Sequence, residues 1–288
     1  MTTMTATTTD QVRAHVHGMW AAVAGPWGEH ADEVDERGAE MSSAMLAAVD
    51  LQPGEHVLEL ACGTGGVGIA AAERVGGTGQ VVLSDVVPQM VALAAERAGQ
   101  RGLSNVRAAT LDLEQIAEPD CAFDAVLCRE GLMFAVQPER AAGEIHRVLR
   151  PRGRVAIAVW GPQHDNPWLG LVFEAVTSIT GFPVPPPGIP GPFALGDVSR
   201  LRQILVDAGL VDVSIEELPT PLRSPSFEAW WQRTRAVAGP LTAMLARLDD
   251  RTTADIEEHL RRAAAPYTSD AGVDLPGLTL LASARRPG

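Results

Sequence analysis

Val57-Leu58-Glu59-Leu60-Ala61-Cys62-Gly63-Thr64-Gly65-Gly66-Val67-Gly68 decides the fold of this chain. Val57, Leu58 and Leu60 form the apolar run of a strand buried in a parallel sheet. Four glycines then break the run, and Ile69-Ala70-Ala71-Ala72-Glu73-Arg74-Val75 continues as a helix. Strand, glycine loop and helix together present exposed backbone amides to a nucleotide-like ligand. A Cβ in the loop would obstruct both the turn and the ligand's approach.

Gly63-x-Gly65-x-x-Gly68 also spells the dinucleotide fingerprint, so the residues before it must separate the ligands. Glu59 ends the strand four residues before the first glycine. A carboxylate there repels a pyrophosphate. S-adenosylmethionine has no phosphate and carries an ammonium and a sulfonium, so the same acid attracts it.

The segment Glu59-x-Ala61-Cys62-Gly63-Thr64-Gly65 resembles the first motif of class I S-adenosylmethionine-dependent methyltransferases. Within that class it is most similar to the group of ubiquinone/menaquinone C-methyltransferases. The likeness extends from about Leu51 to Leu218. It implies a seven-stranded Rossmann-like α/β sheet with the last strand antiparallel, here expected at the sheet edge. Helices before the first strand and a helical insertion complete the expected fold. The expected division is an N-terminal helical cap (1–50), a cofactor-binding core (51–223 and 267–288) and a capping insertion (224–266).

Beyond the glycines, Gln80-Val81-Val82-Leu83-Ser84-Asp85 reads as the second strand, and Pro88 suits the first turn of the next helix. Asp85 lies 20 residues past Gly65, where an acid accepts hydrogen bonds from an adenosine ribose. The resemblance implies that Met90 packs on the adenine, that Asp112 bonds the adenine amino group and that the Leu113 amide meets a ring nitrogen. It also places Ala61, Gly63, Gly65 and Cys128 beside the cofactor, and Phe134 on the substrate-facing loop after the fourth strand, Phe123 to Cys128. Arg129 and Glu130 replace the neutral residues usual there, and could bond an acceptor or only each other.

Residues Asp10 to Asp50 read as helices broken near Pro26, with Val12, Val16, Met19, Met41, Met45 and Leu46 at helical spacing. Trp20 and Trp27 are candidate pocket residues. His15 and His17 would point to different helix faces, which disfavours a metal site. Trp160 ends the fifth strand, and the ligand-edge segment Gly161 to Gly170 carries His164, Asp165, Asn166 and Trp168. The Phe182-to-Pro192 stretch is a stiff proline loop. Residues 224–266 offer Trp230, Trp231, Val237, Leu241 and Leu245 as an apolar face, with Trp230 a substrate candidate. His30 and His164 are the candidate bases.

Composition narrows the function. The chain has 288 residues, a formal charge of −13 and no lysine, all 23 basic residues being arginine. Lysine chemistry (Schiff bases, pyridoxal phosphate anchoring, a P-loop) is therefore excluded, as is the tyrosine–lysine pair of short-chain dehydrogenases. The charge argues against nucleic acid or an anionic membrane as the main partner. The run Arg147, Arg150, Arg152 and Arg154 reads as charge at a helix C-terminus. Cys62, Cys121 and Cys128 are expected reduced, on or near buried strands, in a cytoplasmic protein. The N-terminal stretch Met1 to Val12 reads as a flexible polar start without a signal peptide. The expected enzyme methylates a small, largely apolar metabolite (aromatic, quinone-like or prenylated, of the secondary-metabolite kind) at carbon or oxygen. It needs no metal. An NAD(P)-dependent oxidoreductase, a non-catalytic S-adenosylmethionine binder and a homo-oligomeric assembly stay open.

Overall fold

The structure, a computed structural model, describes residues 8–288; the first part of the expected polar start lies outside them. Four helices come first: α1 (Thr9–Ala21), α2 (Ala24–Glu29), α3 (Ala31–Arg37) and α4 (Ala39–Val49). The periodic residues Val12, Val16, Met19, Met41, Met45 and Leu46 are all buried. The break falls at Ala22 and Val23, ahead of Pro26, which sits in the first turn of α2. A first-turn amide has no intrahelical partner, so proline costs nothing there.

The core then alternates strand and helix: β1 (His56–Glu59), α5 (Gly66–Val75), β2 (Gln80–Asp85), α6 (Pro88–Gln100), β3 (Val106–Thr110), β4 (Phe123–Arg129), α7 (Pro138–Val148) and β5 (Leu149–Trp160). The strands are short, and β1, β2 and β4 are buried along most of their length. After β5 come α8 (Pro167–Thr180), α9 (Val198–Asp207) and β6 (Val211–Pro219). Next are β7 (Leu222–Ser224), α10 (Phe227–Val237), α11 (Gly239–Leu245), α12 (Asp250–Ala264), β8 (Thr268–Ser269), β9 (Gly272–Leu275) and β10 (Leu278–Arg285).

Seven strands form the main sheet in the order β3-β2-β1-β4-β5-β10-β6. The first five are parallel, and β10 runs antiparallel to both β5 and β6. The last strand is therefore inside the sheet, and β6 holds the edge expected for it. Burial explains the exchange: Leu280 to Ala282 are at most 4% exposed, whereas most of β6 faces solvent. The apolar run of β10 suits a strand covered on both faces, and the charged alternation of Val211 to Leu218 suits an edge.

Other departures are local. Cys121 is exposed, in a turn with φ 54°, while Cys62 and Cys128 are buried. Arg152 takes a left-handed φ of 69°, the conformation for which glycine is usual at that turn. Of the basic run only Arg147 lies in a helix's last turn, the other three being in β5; Arg147, Arg150 and Arg154 pair with Glu144, Asp124 and Glu55, which offsets three of the four charges. No helix among the described residues is long and apolar enough to cross a membrane.

The segment between β6 and β10 contains a small sheet, β7-β9-β8, besides its helices. Phe227, Trp230, Trp231, Leu241, Ile256 and Leu260 share an apolar cluster with Trp168, Val172, Phe173 and Val176 of α8. Trp230 is fully buried and donates its indole N–H to the Trp168 carbonyl at 3.2 Å. Trp230→Ala should cost about 3–5 kcal/mol through the void it leaves. Urea unfolding measures this, and a loss below about 1 kcal/mol would place Trp230 outside the core.

Candidate functional site

Sheet order reverses between the neighbouring strands β1 and β4, so their carboxyl ends open a crevice. Both strand ends turn through left-handed residues, Ala61 (φ 49°) and Glu130 (φ 57°). Gly131 lets the two turns touch, because a Cβ on it would overlap that of Ala61. Left-handed non-glycine residues carry strain that the surrounding fold must hold in place.

Glu59 lies under the glycine loop and is 2% exposed. Its carboxyl accepts from the Gly68 amide at 2.9 Å, and its carbonyl accepts from the Ser84 hydroxyl at 2.6 Å. A Cβ at position 68 would overlap that carboxyl, so this glycine makes room for an acid rather than for a ligand. Burial pushes the Glu59 carboxyl up to about 8, against the opposing pull of Arg129 and the Gly68 amide. Asp85, at the end of β2, accepts from the amides of Gly63 at 3.0 Å and Val87 at 2.9 Å. Burial raises its pKa, and these amides oppose the rise.

The N-terminal helices close over this floor. Arg97 donates to the Thr64 carbonyl at 2.9 Å and to Asp35 at 2.7 Å. The Asp35 carboxyl occupies the space a Cβ on Gly66 would need. Arg129 donates to the Ser42 hydroxyl at 2.9 Å and to Asp35 at 3.4 Å. Arg129, the last residue of β4, and Glu130 therefore do not bond each other; Arg129 fastens the N-terminal helices. The Trp27 ring lies 3.6 Å from where a Gly63 Cβ would sit, and its N–H donates to the Val237 carbonyl at 2.9 Å. Cap, glycine loop and insertion thus meet at one tryptophan. Asp112 faces Arg13 at 3.5 Å and His17 at 4.0 Å, both on α1.

One continuous cavity of about 210 Å³ runs from this floor into an aromatic chamber. Glu59, Ala61, Gly63, Asp85, Met90, Asp112 and Leu113 line it, and so do Trp20, Trp27, Phe134, Trp160 and Trp168. Trp20 meets Phe134 edge-on at 4.9 Å, and Trp160 meets Trp168 at 4.5 Å. Gly65 and Cys128 do not line the cavity: Gly65 makes the left-handed turn into α5 (φ 86°), and Cys128 is buried at 1% exposure. Trp230 belongs to the insertion core instead.

Neither candidate base lines the cavity. His164 is 80% exposed on a single turn, Gln163–Asp165, beside Asp165. Its neighbour Asn166 is fully buried and bonded to the Leu278 backbone, which turns Trp168 inward and leaves His164 outside. His30 sits at the α2–α3 junction, 3.4 Å from Glu33.

The cavity also holds groups the sequence reading passed over: His17, Arg37 and Arg233. A signal existed for the last of these. Arg233 follows Trp230 by three residues and precedes Val237 by four, which puts a charge on the apolar face of α10.

Residues 51–169 match the family model described as a methyltransferase domain. An uncharacterized protein of Mycobacterium tuberculosis is 28% identical over 295 residues, covering 99% of this chain and all of that one. A demethylmenaquinone methyltransferase of Thermus thermophilus is 38% identical over 130 residues, 44% of this chain and 58% of that enzyme. Among solved structures, phosphoethanolamine N-methyltransferase 2 of Haemonchus contortus, in complex with S-adenosyl-L-methionine, superposes with a TM-score of 0.55. It is 20% identical over 86% of this chain and 53% of its own, a likeness of fold.

The raised pKa of Glu59 sets a pH dependence. A carboxyl whose folded pKa lies above its unfolded value stabilises fully below the unfolded value, and the benefit is lost as pH rises through the folded one. With the Glu59 carboxyl pushed up to about 8 by burial, the ligand-free protein should lose stability between about pH 4.5 and 8. Glutamine cannot ionise, so the stability profile of Glu59→Gln should be flatter over that window, by up to about 5 kcal/mol. Parallel profiles of melting temperature against pH would remove the assignment.

Proposed function

We infer that this S-adenosylmethionine-dependent methyltransferase acts on a small, largely apolar acceptor, an aromatic, quinone-like or prenylated metabolite, at carbon or oxygen. The single observation that carries the reading is the continuity of the cavity. The same cavity is lined by Glu59, Gly63 and Asp85 and by the rings of Trp20, Phe134, Trp160 and Trp168. The first set suits an adenosylated cation and the second a flat apolar body.

The residues of the floor fit the cofactor on physical grounds. An ionisable carboxyl held near neutrality by burial gains most from a nearby ammonium, which would favour its charged form. Asp85 uses each carboxylate oxygen once for a backbone amide, and each keeps a lone pair for a ribose hydroxyl. The cofactor supplies a methyl group already activated by its sulfonium. The chain's part is to hold the nucleophile in line with that group, about 3–3.5 Å away, and to exclude water. The edge-on tryptophan pairs and the Trp27 bridge between cap and insertion provide rigid walls for this. With His30 and His164 outside the cavity, and the one histidine that lines it, His17, turned toward Asp112, positioning carries the proposed mechanism. Similarity to the demethylmenaquinone methyltransferase supports a ring-carbon acceptor, over the part of the two chains that aligns.

Calorimetric titration with S-adenosylhomocysteine, NAD⁺ and NADP⁺ separates this reading from a nicotinamide enzyme: only the first should bind. Binding of a nicotinamide dinucleotide alone would overturn it. Asp85→Ala should weaken S-adenosylhomocysteine by ten- to a hundredfold, roughly 1.5–3 kcal/mol. It should also lower the melting temperature, since the Gly63 and Val87 amides lose their acceptor. Unchanged affinity in the variant would remove the ribose role. Methylated product, found by mass with quinol and phenol acceptors, distinguishes an enzyme from a passive binder.

A further inference from the structure

Four guanidinium groups line the cavity; Arg13 is engaged by Asp10, Asp112 and Glu114, and the other three come from different parts of the chain: Arg37 from the N-terminal helices, Arg129 from β4 and Arg233 from the insertion. They are close enough to affect one another, since Arg233 and Arg129 both lower the pKa of Arg37. Arg129 donates to Ser42 and Asp35. Among the described residues no carboxylate lies within ion-pair distance of Arg37; its guanidinium is stacked over the Trp168 ring at 4.0 Å. Arg233 lies 3.6 Å from Glu33 through Nη1, while its Nη2 is buried without a hydrogen-bond partner. The indole N–H of Trp160, which edges the same chamber, is likewise buried and unpartnered.

Unmet buried donors cost about 1–3 kcal/mol each, and more when charged. Two of them, on Arg233 and Trp160, line the same largely aromatic cavity, in a chain of net charge −13. Glu130 and Glu33 also line the cavity and offset part of the positive charge, but Glu33 is 55% exposed and stands toward solvent. Burial brings the Arg37 guanidinium down to about 10. An anion with two coplanar oxygens would meet the planar forks of both arginines. Stacking on Trp168 already fixes the plane of one fork.

We propose that the methyl acceptor carries a carboxylate, gripped by Arg37 and Arg233 at the aromatic end of the cavity. The proposal rests on the methyltransferase reading and narrows its substrate to aromatic or prenylated acids. The methionine carboxylate of the cofactor is the other possible source of the same chemistry. Position separates them. Arg129 is the cation whose charge acts most strongly on Glu59, at the cofactor end. Arg37 lies on Trp168 of the aromatic chamber, and Arg233 is close enough to Arg37 to lower its pKa.

The test uses 2-naphthoate and its neutral counterpart 2-naphthylmethanol, titrated calorimetrically into the full chain with and without S-adenosylhomocysteine. Wild type should bind the acid at least about tenfold more tightly than the alcohol, the scale of one charge-assisted bond. Arg37→Met and Arg233→Met should each erase most of that preference, with S-adenosylhomocysteine affinity within about twofold of wild type. Arg37→Lys, which keeps the charge but loses the fork, should retain an intermediate preference. Equal binding of the two probes, or binding of neither, overturns the proposal. So does a variant that loses S-adenosylhomocysteine affinity while keeping the acid preference, because its arginine then serves the cofactor. Failure of the methyltransferase reading is seen separately, as no S-adenosylhomocysteine binding by wild type, while the cofactor-free titrations still read the anion site.

Discussion

A buried acid under a glycine loop is the constraint on which the rest of this structure depends. The Glu59 carboxyl has one backbone donor, Gly68, and its room exists only because position 68 lacks a side chain. Burying a carboxyl with so little support is costly unless it stays protonated or meets a cation. The loop around it is consequently held from several directions. Asp85 fixes Gly63, Arg97 fixes Thr64, and the Ser84 hydroxyl fixes the Glu59 backbone. Each tie joins the first strand to its neighbour or to the helix beyond, so the site's geometry is set by the most buried part of the sheet.

The outer half of the cavity is built differently. Its walls come from the N-terminal helices, the loops after β4 and β5, and the insertion, elements far apart in sequence. Few bonds connect them: the Asp35 clasp to Arg97 and Arg129, the Trp27 indole to Val237, and Arg13 to the buried Glu114. Most of the remaining contact is aromatic. A chamber walled by segments far apart in sequence can vary without disturbing the glycine loop and the acid beneath it. Arg37, stacked on Trp168, and Arg233, with its unpartnered Nη2, also line this cavity.

Misplaced residues in the sequence reading share a cause. His164 and Trp168 stand four positions apart in one polar–aromatic stretch, yet one is at the surface and the other against the chamber. What separates them is Asn166, fastened to Leu278, over a hundred residues later in the chain. Trp230 was a reasonable candidate for the cavity because its helix had an apolar face to bury. The face found α8 instead, a helix whose role as its packing partner could not be read from local periodicity. The last strand moved inward for the reverse reason: its apolar run against the charged alternation of its predecessor was a readable sign of burial on two faces.

By itself the sequence determined the sheet, the glycine turn, the acid beneath it and the absence of lysine chemistry. These are local properties: strand periodicity, the glycine requirement of a left-handed turn, and a charge beside it, all within a few residues of one another. Only the tertiary structure decided which side chains share the acceptor chamber and which hydrogen-bond donors there are left without partners. That outcome depends on which apolar faces pack together across long sequence separations, and a one-dimensional pattern does not record which pairing of faces wins. Arg37 and Arg233 are 196 positions apart, and nothing in either neighbourhood says that they line one cavity.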